Sequence, residues 1–474
     1  MKRILFGILA TLLTVNILNA VELLPTQELL ASYLERDSEL KNLTLELQKS
    51  KLNNELTQID KGFNIKLSSG DMTFTFGDDS SFEVYPSINA SLPQYNNLAL
   101  NVKGQMSVQD GKTSFDSASA TVSVDILSSN KAERELSLLK SERAVLEAQR
   151  NLTAKAVEKE KTFYKSISSL LSSILNIVSK KNSLNDEYIE FEKIKLQGYS
   201  KASSAYVKEE MKVLTLEHEL EAAIHSLITD YKFFYFDCGH EIEIPEETDF
   251  TQLIPQDIPL VEAIDINNYK AESFKQIESN LWNQKINQMS RDADKAFTLS
   301  ANGGYTYKNS RTGNANTVNA GLAAAYQGIG LDAGVNVPVG GGAGGSQASP
   351  SLSLGVTYTP NTFKKNKIND QLTEISIEQE QMKVDSAYTE YEASVREMKI
   401  QLEDIKWAQE TNNKNYQMYA DVEKEMLDYY KRGFISEGDY VSATINTIQS
   451  KVKDLINRID LIVYNDDIKA KFVE

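Results

Sequence analysis

Cysteine is almost absent from this chain: Cys238 is the only one in 474 residues. One cysteine excludes a disulfide framework, and its distance from the N-terminus argues against a lipid anchor there. Long apolar runs are equally scarce. Beyond the first twenty residues none approaches the ~20 needed for a spanning helix, so a chain that enters a membrane must do so as a β-barrel. Basic charge is in deficit, with 50 Lys and Arg against 67 Asp and Glu and a net charge of −17. That sign disfavours nucleic acid as a partner. It suits a cation-attracting surface or lumen, and equally a merely solvated acidic exterior. No Ser-His-Asp, Cys-His or paired-carboxylate arrangement can be argued, so no enzyme is expected. His218 and His225 stand seven apart on a charged helix, where solvation is expected rather than a metal. The glycine-rich VGGGAGGSQ, Val339 to Gln347, lacks a following Lys-Ser/Thr and leads to a strand. It reads as an external turn, not a phosphate loop. No cofactor is expected.

What the chain does contain begins with MKRILFGILATLLTVNILNA, residues 1–20. Lys2 and Arg3 precede an apolar core from Ile4 to Val15, and a small residue, Ala20, closes the segment. This is the pattern of an export signal.

The remainder divides into two repeats, 21–266 and 267–474. In the first, residues 25–60 read as helix. Gly62 ends it, and the apolar period changes to two. Four alternating runs follow over 63–127, among them Leu98, Leu100, Val102 and Ala118, Ala120, Val122, Val124. Their partners are mainly Ser, Thr, Asn, Gln and Lys, and GDDS, PQYNN and QDGK punctuate them as turns. One apolar and one polar face suit a barrel between lipid and water. Helical periodicity returns over 128–197, long enough for ~100 Å of helix at ~1.5 Å per residue. Gly198 interrupts it, a second helix occupies 203–236, and Pro245, Pro255 and Pro259 mark 237–266 as irregular.

The second repeat is expected to run helix 268–296, strands 297–360, and helices 361–432 and 436–471. Phe297 lies 234 residues after Phe63, and Gly433 lies 235 after Gly198. Tyr388, Tyr391, Val395, Met398, Leu402 and Ile405 step 3-4-3-4-3; from Val441 to Ile462 the steps are 4-3-4-3-4-3. A sustained seven-residue period means supercoiled helix pairs. Glycine at each junction is the device that reverses a helical hairpin. Strands and helices do not alternate as βαβ units, which excludes a parallel α/β sheet. The expected fold is a mixed α+β membrane protein: an antiparallel β-barrel joined to long coiled-coil helices.

This arrangement resembles the TolC-like outer-membrane efflux proteins over about 25–471. The most specific local piece is GFISEGDY, Gly433 to Tyr440, similar to the family's tip pattern of Gly, then Ser/Thr three residues on and Asp six on: Ser436 and Asp439. At the first tip Lys201 and Ser204 stand at those places, so the acid is missing. The resemblance implies a homotrimer in the outer membrane of a diderm bacterium, most of its mass an α-barrel in the periplasm. It implies docking to a periplasmic adaptor and to an inner-membrane efflux pump or ABC exporter. It also implies that Asp439 belongs to an entrance ring of carboxylates, with Tyr430 in the latch position. Ile435 replaces the family's latch arginine, and Arg432 and Glu437 are the nearby charges available for pairing between helices. The tip turns Gly198, Tyr199, Ser200 and Gly433, Phe434, Ile435, Ser436 would meet the adaptor. Three symmetry-related carboxylates near an axis repel and attract cations; equally, Asp439 suits the first turn of the last helix. The other reading of the whole chain is a coiled-coil adhesive surface protein without a conduit. Because the family uses two spanning strands per half, the inner strand pairs are expected to extend beyond the membrane.

Overall fold

The computed structural model describes residues 23–75, 81–109, 112–128, 130–294, 297–310, 313–326, 328–341 and 349–473. The expected export signal lies outside these residues, as do GDDS, Phe76 and the central residues of QDGK, SRTGN and GGGAGGSQASP. In chain order the structure contains α1 (Thr26–Arg36), α2 (Ser38–Asp60), β1 (Asn64–Ser68), β2 (Met72–Thr75), β3 (Ser81–Val84), β4 (Ser87–Leu92), β5 (Leu98–Gln109) and β6 (Lys112–Leu127). There follow α3 (Asn130–Leu196), α4 (Ser204–Asp237), α5 (Lys275–Asp294), β7 (Thr298–Ser310), β8 (Gly313–Tyr326), β9 (Ile329–Gly341), β10 (Ser351–Tyr358), α6 (Pro360–Lys431) and α7 (Glu437–Lys471). No described helix is long and apolar enough to cross a membrane.

Two compact units share these elements. One gathers the described part of 1–44 with 150–275 and 389–474. Its core is helical: Phe163, Leu171, Ile174 and Ile177 of α3, Leu227 and Tyr231 of α4, and Val452 and Ile459 of α7 are all but sealed from solvent. Such residues recur at three- and four-residue intervals, which is what keeps them on one stripe of each helix. The segment 238–274 is pinned to this bundle by hydrogen bonds. Tyr231 donates its hydroxyl to the Leu253 carbonyl. Asn465 accepts from Ile264 N at 2.9 Å and donates to the Glu262 carbonyl at 2.8 Å. The helix expected over 25–60 is broken once, at Asp37. Its carboxylate accepts from the amides of Glu39 and Leu40, both at 2.9 Å. A short acidic side chain that caps a new helix competes with continuing the old one.

One buried charge stands out in this unit. Asp466 is 1% exposed, and while one oxygen accepts from Lys469 at 3.0 Å, the other has no partner among the described residues. Burial pushes its carboxyl above the ordinary range against the pull of Lys469 and Lys161, with Asp467 adding to the rise. Burial and then Asp466 itself do the same to Glu160. A raised carboxyl binds its proton more tightly folded than unfolded. Its cost is therefore absent below the ordinary carboxylate range and sets in as pH climbs through the raised value. Asp466→Asn should accordingly stabilise the fold by about 1–3 kcal/mol at about pH 8 and by much less at about pH 4. Denaturant unfolding at the two pH values checks this; an equal gain at both would exclude the titration.

The other unit, 45–149 with 276–388, carries the sheet. Its strands are ordered β1-β4-β5-β6-β7-β8-β9-β10, with β2 beside β3 and β3 beside β5, and all described pairs are antiparallel. The first two alternating runs are each cut in two. Gly70 has φ +68°, and a Cβ there would collide with the Tyr85 carbonyl oxygen at 1.8 Å. Only glycine fits that corner, and Pro86 interrupts the facing run. The helices of this unit are tied to one another by charge. Arg143 of α3 grips the Glu278 carboxylate of α5 with both terminal nitrogens, one at 2.7 Å, and lies over the Trp282 ring at 5.2 Å. Arg291 pairs with Glu380 at 3.1 Å.

The strand register shows where the inner strands of the second half lie. The inner strands β8 and β9 stand beside the outer strand β7 rather than beyond its end, while β10 pairs with β9 only as far as Ser351↔Asn336 and leaves residues 337–341 of β9 past it. Ladder pairs join β8 to β7 from Thr298↔Ala325 to Ser310↔Gly313, the whole length of both. β9 then runs beside β8 from Tyr326↔Ile329 to Ala315↔Gly341. Alternation assigns a residue to a face but says nothing about which strands stand side by side.

Candidate functional site: two helical tips and one apolar sheet face

The two longest helices, α3 and α6, each stop at a glycine. At the end of α6, Gly433 N donates to the Tyr430 carbonyl and Phe434 N to the Tyr429 carbonyl, both at 2.9 Å, with Gly433 at φ +75°. This is a Schellman closure, and it needs a left-handed residue at that place. Gly198 closes α3 with φ +73° and a 3.2 Å bond from its amide to the Lys195 carbonyl.

The two tips restart differently. Ser436 caps α7: its hydroxyl accepts from Asp439 N at 3.2 Å, and its own amide donates to Asp439 Oδ2 at 3.1 Å. The Ser436 hydroxyl also donates to that oxygen at 2.6 Å. Asp439 thus completes a capping box, here with aspartate in the place usually held by glutamate. It remains exposed, and Glu437 joins it in the first turn. At the first tip the cap is Ser203, accepting from Tyr206 N at 3.3 Å. The hydroxyl that the tip pattern lacks at Lys201 is therefore supplied two residues later. The acid has no counterpart, since Tyr206 occupies the place equivalent to Asp439.

Tyr430 stacks on Tyr440 with ring centroids 5.5 Å apart and planes 7° from parallel, joining the last turn of α6 to the first turn of α7. Arg432 pairs with Asp428 at 2.9 Å, one turn back on its own helix, instead of bridging to Glu437 or another helix. A guanidinium reaches i−4 with little loss of freedom, which explains the choice. Phe434 at 72% exposure and Tyr199 at 49% present aromatic surface at the two turns.

Sequence reasoning missed the residues that connect the two hairpins. Asn185 of α3 is buried, and its amide nitrogen donates to the Gly438 carbonyl at 3.0 Å and to the Ser442 hydroxyl at 2.9 Å. Gly438 lets the helices approach: a Cβ there would lie 2.9 Å from Ile189 Cγ1. The available signal was a second glycine inside GFISEGDY, two residues into a helix, where glycine is otherwise unfavourable. Nearby, Glu187 is held above the ordinary carboxylate range by its hydrogen bond with Glu209, and Lys212 contacts them at 3.2 Å and 2.5 Å.

The second feature is in the other unit. Register aligns Ile65, Ala90, Leu100, Val122, Gly303, Ala320, Val335 and Leu352 on one face, strand after strand. Its large side chains are open to the outside, Leu354 at 75% and Leu322 at 51%. The opposite face carries residues such as Asn89, Asn101, Thr121, Gly304 and Asn319.

Residues 29–258 match the model of the TP096X N-terminal domain, and residues 259–474 match that of the TP096X C-terminal domain. No curated relative matches the sequence. Among solved structures, the outer membrane protein VceC of Vibrio cholerae is similar at 11% identity, with 95% of this chain and 97% of that one covered and a TM-score of 0.42. The open state of the Neisseria gonorrhoeae MtrE outer membrane channel is similar at 12% identity over 97% and 93%, TM-score 0.42. The Campylobacter jejuni CmeC outer membrane channel is similar at 11% over 94% and 85%, TM-score 0.38.

Proposed function

The chain belongs to the TP096X family, and we propose that it is a passive exit duct of the outer membrane. The carrying observation is the sheet. An apolar face that continues over every strand and stays exposed is far larger than the few hundred Å² a soluble monomer leaves open. Antiparallel strands that are apolar outward and polar inward are how a chain without spanning helices crosses lipid. The helical hairpins then stand on the periplasmic side, and copies of the chain, in a homotrimer, enclose the conduit that one copy cannot.

The duct hydrolyses nothing. A periplasmic adaptor engages the tips around Gly198 and Gly433, and an inner-membrane efflux pump or ABC exporter supplies the energy for small-molecule or protein cargo. Closure lies at the tips. Asp439 holds its own helix start in place and, repeated around the axis, gathers cations at the entrance; Tyr430 and Tyr440 brace the same turn. Cap and gate are compatible, because the cap uses only Oδ2 and the side chain stays exposed.

Purified protein in planar lipid bilayers tests the reading. Discrete conductance steps are expected, larger in Asp439→Ala than in the parent. A protein that conducts in neither form is not a duct, and the coiled-coil surface protein would then stand in its place.

A further inference from the structure

The sheet holds more strands per chain than its ends require. β1 and β2 continue one run and β3 and β4 the next, so the ladder has eight strand positions: those two runs and β5 through β10. Among the described residues neither edge is paired. The outer edge of β10 is open, and so is that of β1. We infer that the β10 edge takes the β1 edge of a second copy of this chain, and that all eight positions lie in the membrane, so that three copies close a barrel of 24 strands. This rests on the exit-duct reading above.

Three observations select a second copy as the occupant. A sheet edge in lipid leaves unpaired amides and carbonyls at several kcal/mol each, so closure is compulsory. Eight is even and every neighbour is antiparallel, so a β1 placed beside β10 continues the alternation without a parallel step. The apolar face also reaches both edges, with Leu352, Leu354 and Val356 at one and Ile65 and Leu67 at the other. A following copy extends the lipid surface unbroken.

Closure within one chain gives a different object. With strands about 4.8 Å apart and tilted by about 40°, eight would make a barrel about 16 Å across, filled by its own side chains. Three copies give about 48 Å, against about 24 Å for a twelve-stranded ring. The inward face suits an open lumen, for Asn, Ser, Thr and Gly dominate it. Among the described residues its charges nearly balance, with Lys66, Lys103, Lys112 and Lys308 against Glu83, Asp125 and Asp332, and Asp116 at the β6 bulge bonded by Ser114. Such a wall neither selects by charge nor holds cargo, which leaves discrimination to the helical tips.

The test uses the full chain in a Cys238→Ala background. A bimane label at Leu322→Cys of β8 or Val335→Cys of β9 should lose most of its fluorescence in vesicles of brominated phosphatidylcholine, as a label at Val122→Cys of β6 does. Lys66→Cys combined in turn with Ser351→Cys, Ser353→Cys and Thr357→Cys should give, for at least one pair, a covalent trimer on oxidation. Quenching confined to Val122→Cys, with conductance retained, would overturn the inference and leave the duct intact. Monomers at every pair, or a closed ring of another number, would overturn the edge contact. No quenching anywhere, together with no conductance, would bring down the duct reading itself.

Discussion

Val122→Arg should keep the protein out of the outer membrane, while Ser123→Arg, one residue further along β6, should let it assemble. Val122 pairs with Leu100 on one side and Gly303 on the other, on the apolar face, and is 45% exposed. An arginine on the lipid face costs about 2–4 kcal/mol near the bilayer midplane, and symmetry multiplies that by the number of copies. Ser123 lies between Ala99 and Asn302 on the polar face. An arginine there meets water and has Asp125 two residues along the same face. The readout is the amount of each variant extracted from outer membranes as folded oligomer. Equal yields would mean that this face does not meet lipid. Poor yields of both would point to a general packing fault in β6.

Gly438→Leu should open the tip. The contact between α3 and α7 admits no side chain at this position, where a Cβ would come within 2.9 Å of Ile189, and the new bulk also displaces the Asn185 amide from its two acceptors. Overpacking and a stranded buried amide each cost about 1–3 kcal/mol. If the two hairpins separate on opening, the closed state alone bears that cost. A net penalty of about 2 kcal/mol then moves the closed-to-open ratio about thirtyfold. Single-channel recordings should show a much higher open probability, with helix content by circular dichroism unchanged. Asn185→Leu should act in the same direction and more weakly, because the glycine contact survives. An unchanged open probability in a well-folded Gly438→Leu protein would mean that the α3–α7 contact does not hold the tip shut.

The heptad steps from Tyr388 to Ile405 and from Val441 to Ile462 foretold α6 and α7, because apolar spacing along a helix is a property of the chain alone. The alternation in β5 to β10 was legible for the same reason. Gly198 and Gly433 were legible as turns, since a left-handed residue at a helix end leaves few choices. At the tips the reading was partial. The pairing of Ser436 with Asp439 lies within four residues and follows from local capping chemistry. The displaced cap at Ser203 was missed, because a pattern counted from Gly198 cannot register a turn two residues longer. The Asn185 contact joins residues 253 apart and has no local trace.

The sequence by itself determined the elements, the face each residue takes and the glycine breaks, because all of these depend on neighbours within a few residues. Only the tertiary structure decided which strands stand beside which, and so that β8 and β9 lie alongside β7. It also decided that Arg432 turns back to Asp428 and that α3 and α7 meet through a glycine. These depend on ladder register and on close approach between distant segments. They are fixed by what the whole chain can pair and bury at once.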